Sequence, residues 1–139
     1  MIVEGETSTM MAGAFAGSLQ QTAKAIRAGV PVIAGSDAGN PVTFHGVSLL
    51  RELELLAQAG MPLTDVLKSA TSRAADRMGQ PSLGRISAGA LADLVVLDAD
   101  PTERADAFRK IKSVYLGGRK LDDATLTSNA PAAWRLGIR

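Results

Sequence analysis

The stretch "AIRAGVPVIAGSDAG", residues 25 to 39, joins the end of an amphipathic helix to a β-branched apolar run through a single glycine. From Ser18 to Ala28, Leu19, Ala23 and Ile26 share one helical face, Gln20, Lys24 and Arg27 the other, and Gly29 stands where a C-cap belongs. The run "VPVIAG" is bounded by glycine and entered through Pro31, which predicts a buried strand. Helix, glycine, strand is the order of a parallel unit, and it sets the fold class as α/β. Asp37 then falls at the carboxyl end of the strand, where ligands and catalytic groups collect in such folds. An aspartate there serves equally well as a turn residue that bonds loop amides.

Outward from this stretch the pattern stays regular. "VSLLRELELLAQAG" puts Leu49, Leu53, Leu56 and Ala57 on one stripe, with Arg51, Glu54 and Gln58 turned away and Gly60 as the stop. "PLTDVLKSA" turns Leu63, Val66, Leu67 and Ala70 inward, and "SRAADRM" follows with Ser72 as its N-cap and Gly79 as its stop. Beyond "QPSLG" the period changes. "LADLVVLD" and "KSVYLGGRKL" are strand-like, the second broken by the Gly117-Gly118 pair that favours a hairpin turn. The apolar run "TMMAGAFAG" near the start is read as a loop or buried connector. The last residues, with the lone Trp134, form a surface tail that the indole ring anchors. The resulting layout is a connector over 1–17, an α/β part over 18–79, a β part over 80–121 and a tail over 122–139.

Composition narrows the function. The 139 residues are 46% hydrophobic and 21% charged, close to an ordinary globular chain. Fifteen basic and fourteen acidic residues, without a basic block, leave no footprint of a nucleic-acid binder. No apolar run is long enough to span a bilayer. The absence of cysteine removes disulfides and thiolate zinc sites, and fits a reducing cytoplasm.

Local motifs exclude further chemistries. No phosphate loop occurs, and Ser36 is not centred in a nucleophile elbow. Asp93, Asp98 and Asp100 flank a short strand without calcium-loop spacing, so they read as strand-end and turn residues. His45 is the only histidine, eight residues after Asp37, and one histidine cannot supply an H-x-H or H-E-x-x-H pair. By itself it reads as a hydrogen-bonded structural or surface residue as readily as a site residue.

The ordered set "AIRAGVPVIAGSDAG", "HG", "RELELLAQAGMPLTDVLKSATSRAADRMG", "LGRISAGALADLVVLDADP" and "IKSVYLGGRK" resembles the C-terminal part of a metal-dependent amidohydrolase of the imidazolonepropionase-like and prolidase-like branch. The resemblance implies the C-terminal portion of a (β/α)8 barrel, its last strand with the surrounding helices, and the C-terminal strands of a small composite β-sandwich domain. It implies a hydrolase of carbon-nitrogen bonds with one or two divalent metals, zinc foremost, acting on a small-molecule substrate. Asp37 then corresponds to the metal-binding aspartate of the eighth strand and is also catalytic, taking a proton from the metal-activated water. His45 lies on the following loop in a substrate-binding or loop-ordering role, and Asp93 orders the turn into the small β domain.

A complete barrel takes about 250 residues, and this sequence holds one convincing barrel strand. Three expectations follow. The chain is an incomplete C-terminal piece that needs an N-terminal segment, or it is a non-catalytic remnant acting as an oligomerisation or binding module, or it is a small enzyme with a mononuclear site at Asp37 and His45. Unpaired strand edges and apolar helix stripes make self-association the alternative to a supplied segment.

Overall fold

The computed structural model describes residues 4–41 and 43–122, with side chains from residue 13 onward. The first element is helix α1, Glu4–Arg27. The run over 9–17 is therefore helical, not a loop or buried connector, and its residues 13–16 are exposed. Alanine and methionine, among the better helix formers, dominate the run and outweigh the two glycines within it. Helix α1 ends as its sequence requires. Gly29 has φ 73°, and the amides of Gly29 and Val30 donate back to the carbonyls of Ile26 and Ala25 at 3.0 Å each. That paired closure depends on a residue that adopts left-handed backbone without penalty.

Three helices follow: α2 over Val47–Gln58, α3 over Leu63–Ser69 and α4 over Ser72–Arg77. The anticipated stripe of α2 is present, with Leu53 and Leu56 buried. Val66 and Ser69 of α3 and Ala75 of α4 are buried beside them. The cap of α4 is shifted by one residue from the expected Ser72. Thr71 occupies the position, but its hydroxyl donates back to Leu67 O at 2.6 Å and caps nothing.

Leu53, Leu56, Met61, Val66 and Phe108 form the core, with Ile26, Val32, Ala34 and Leu63 packed against it. Phe108 arrives from a 3-10 helix, Ala105–Arg109, which lies over α2. The β part is a three-stranded antiparallel sheet in the order β1 (Leu94–Leu97), β2 (Ile111–Leu116), β3 (Arg119–Leu121). Leu94 pairs with Tyr115, Leu116 pairs with Arg119 across the hairpin, and a bulge falls between Val96 and Leu97. The glycine pair forms that hairpin turn as expected. Asp93 Oδ1 accepts the Gly117 amide at 2.7 Å, so it orders the β2–β3 turn from the neighbouring strand's end rather than the entry to β1.

The segment 30–35 departs from expectation. It runs extended between α1 and the Asp37 turn, but it joins no ladder. Burial alternates along it as in a strand: Val32 and Ala34 face the core while Val30 and Ile33 stay 53% and 45% exposed. A strand needs a partner for its amides as well as an apolar face. Among the described residues no other strand lies beside it.

Candidate functional site around Asp37

Asp37 closes the extended segment in left-handed backbone, φ 49°, the one residue other than glycine with positive φ among those described. Aspartate tolerates that conformation better than most residues. The turn is held by its main chain. The Asp37 carbonyl accepts hydrogen bonds from the Thr43 hydroxyl at 2.9 Å, the Asn40 side-chain amide at 3.2 Å and the Asn40 backbone amide at 3.4 Å. The Thr43 hydroxyl also reaches Asn40 O at 2.9 Å. The loop bonds therefore fix the backbone, and the Asp37 side chain stays exposed with no hydrogen bond or ion pair among the described residues. Both sequence readings meet in this residue, since its main chain makes the turn and its carboxylate is left available.

His45 is exposed in the following turn, one residue before Gly46. Its carbonyl accepts the Val47 amide at 3.1 Å, and next to it the Phe44 amide donates to the Ser48 hydroxyl at 2.8 Å. These bonds order the entry to α2. Among the described residues no hydrogen bond or ion pair joins the imidazole to Asp37.

Behind Asp37 the extended segment is fastened to α3 and α4. The Ala34 amide donates to Ser69 O at 3.1 Å, and Arg73 Nη1 reaches Val32 O at 3.4 Å while its Nη2 bonds Asp65 Oδ1 at 3.0 Å. A second polar joint ties α2 to the 3-10 helix. Glu54, expected to point outward, has a side chain only 16% exposed and accepts hydrogen bonds from both Arg51, at 3.0 Å, and Arg109. Those hydrogen bonds, Arg109 foremost, hold the Glu54 carboxyl below the usual carboxylate range. An open groove of about 590 Å³ between α2, α3 and the 3-10 helix is lined by Glu54, Met61, Leu63 and Asp106 among others. It includes neither Asp37 nor His45.

Comparison with known proteins decides what this arrangement belongs to. The family model described as "Amidohydrolase family" matches residues 16–121. The chain belongs to that family. This amidohydrolase-family chain is 45% identical over 83 residues to an adenine deaminase of Klebsiella pneumoniae, covering 58% of the chain and 13% of the relative. It is 43% identical over 67 residues to an adenine deaminase of Serratia proteamaculans, covering 48% of the chain and 10% of that relative. Among solved structures it superposes on a Xaa-Pro dipeptidase with a TM-score of 0.68 and 30% identity, over 75% of the chain and 25% of the dipeptidase. It superposes on molinate hydrolase with a TM-score of 0.72 and 24% identity, over 79% and 27%. The chain thus spans about a tenth to an eighth of these curated relatives and about a quarter of these structures.

A divalent metal of the kind the resemblance implies needs about three protein donors around it. Asp37 offers one donor of suitable chemistry. Among the described residues no three His, Cys, Asp or Glu side chains group closely enough to hold an ion. The described residues therefore gather no three-donor metal centre.

Arg73, Asp65 and Ser69 escaped the sequence reading. The helical period places them only relative to their own helices, whereas Arg73 and Ser69 bond a segment more than thirty residues away and Asp65 acts through Arg73.

Proposed function

We propose that the chain supplies the Asp37 corner of a composite amidohydrolase site that hydrolyses a carbon-nitrogen bond. The carrying observation is the pairing of a turn bonded through the Asp37 main chain with a carboxylate left unpaired among the described residues, in a chain that belongs to the amidohydrolase family. The relatives support the reaction class, since a deaminase and a Xaa-Pro dipeptidase are both named for breaking such a bond. In this reading Asp37 accepts a proton from the water that attacks the substrate carbon, and passes it to the departing nitrogen. The carboxylate suits that work because none of the described residues of its turn competes for its oxygens. Any divalent metal in the completed site draws its remaining donors from polypeptide other than the described residues. His45, on the loop beyond the turn, faces the substrate side.

The test pairs the chain with a complementing polypeptide, the Klebsiella adenine deaminase lacking its matched 83 residues, and assays release of ammonia from adenine and of proline from Xaa-Pro dipeptides. Turnover that needs both polypeptides and is abolished by Asp37→Asn is the expected result. An Asp37→Asn complex that retains activity within about tenfold, roughly 1.4 kcal/mol in barrier, removes Asp37 from the chemistry. Near-stoichiometric zinc or manganese bound tightly to the chain alone would show that its own residues complete a site.

A further inference from the structure

The extended segment that delivers Asp37 has an unusual neighbour on one edge. In extended backbone the carbonyl of residue 32 and the amide of residue 34 face the same edge, and in a parallel ladder both would be taken by the single partner residue opposite position 33. Among the described residues no strand is present to take them. The Val32 carbonyl is met by Arg73 Nη1 at 3.4 Å and the Ala34 amide by Ser69 O at 3.1 Å. A guanidinium and a helix-end carbonyl occupy the donor and acceptor places of a missing strand residue.

We infer that Arg73, braced by Asp65, is a positioning residue that sets the extended segment and through it the Asp37 turn. Several features make this more than a surface contact. Ser69 is fully buried, and its hydroxyl donates to Val66 O at 2.6 Å, so the carbonyl that receives Ala34 belongs to a fixed helix end. Arg73 is oriented by Asp65 at 3.0 Å, which leaves a different nitrogen of the same planar fork for Val32. Lys68 also approaches Asp65, at 3.8 Å, but is the more exposed partner and lies on the same helix as the acid. The three groups come from α3 and α4, so the helices that follow Asp37 in sequence return to hold the backbone that precedes it. The span from Ala34 to Asp37 is three residues, short enough that a slip at residue 34 must be absorbed at the turn.

This inference rests on the proposed role of Asp37, but its test does not use turnover. In the full chain labelled with ¹⁵N, amide hydrogen exchange is followed at Ala34 and Asn40, with Leu56 and Val66 as core references. Arg73→Gln removes the cation and is expected to speed exchange at Ala34 by about tenfold or more relative to the core amides, which report global opening. Arg73→Lys keeps a donor for the Val32 carbonyl and is expected to recover most of that protection. Asp65→Asn leaves Arg73 in place but unbraced, and is expected to produce a smaller change in the same direction. Equal acceleration at Ala34 and Leu56 in every variant would reduce Arg73 to a general contributor to stability. Unchanged exchange at Ala34 in Arg73→Gln would overturn the positioning role outright. Asp37→Asn is expected to leave Ala34 exchange as in the parent, so loss of turnover in that variant and loss of protection in Arg73→Gln report on separate claims.

Discussion

Glu52 and Glu54 stand two residues apart on α2 and experience opposite environments. Burial pushes the Glu52 carboxyl above its ordinary value, whereas the hydrogen bonds from Arg109 and Arg51 pull Glu54 below its own. The consequences for stability have opposite sign. Glu54 is depressed in the folded state, so its contribution is present above the unfolded value of 4.5 and is lost as pH falls through the lower folded value. Glu52 is raised in the folded state, so ionising it costs stability as pH climbs from 4.5 through the higher folded value. Urea denaturation across this range is expected to show Glu54→Gln less stable than the parent at pH 7, with the gap closing in acid. Glu52→Gln is expected to be more stable than the parent at pH 7, with its advantage vanishing at acid pH. Matching pH profiles for the two variants would contradict the assignment of causes. The helical period placed Leu53, Leu56 and Ala57 of α2 on the core side but named Leu49 where Leu50 packs, and it could not separate these glutamates, because the difference comes from burial and from Arg109 on a distant element.

The joint between α3 and α4 is where a single methyl group is expected to matter most. A Cβ on Gly84 would lie 2.5 Å from the backbone carbon and oxygen of Thr71 and 2.8 Å from the Ser72 nitrogen, at a φ of 67°. No rotamer relieves a collision with main chain, so Gly84→Ala is expected to cost about 3 kcal/mol in urea denaturation. Gly79→Ala provides the contrast, since its φ of 69° carries the same backbone penalty but its Cβ would meet nothing within 4 Å. There the cost is expected near 1 kcal/mol. Equal losses would mean that the loop of Gly84 does not press on the joint that carries Arg73. At this scale the sequence was legible wherever a local rule decides the outcome: the glycine after α1, the apolar stripe of α2 and the Gly117-Gly118 turn. It was illegible where partners decide. "VPVIAG" has the composition and alternation of a strand, yet pairing is a property of two segments, and the second is not among the described residues. The 3-10 helix bearing Phe108 is too short to show a period, so its core residue gave no signal. The proposed tail with Trp134 lies outside the described residues.

Across the whole molecule the apolar surface is the dominant unspent feature. Val30 and Ile33 lie on an extended segment that has no strand beside it among the described residues, and Val95, Val96, Ile111 and Leu116 are exposed on a three-stranded sheet. The chain spans 13% of the Klebsiella relative and 25% of the dipeptidase. Net charge of +1 adds little repulsion to keep copies apart. No helix among the described residues is long and apolar enough to cross a membrane. The purified chain is therefore expected to sediment as dimers or larger species at tens of micromolar, with association that strengthens as salt rises, the direction for burial of apolar surface rather than ion pairing. Val95→Lys and Ile111→Lys together place two charges on adjacent strands of the sheet without touching the Leu53, Leu56 and Val66 core. They are expected to shift the population toward monomer while leaving the helical circular dichroism signal in place. Ile33→Lys tests the other surface separately, because it alters the segment before Asp37 and not the sheet. A parent chain that remains monomeric at high salt would show that these apolar residues are tolerated singly on the surface, and would leave a complementing polypeptide without the hydrophobic drive that the composite site requires.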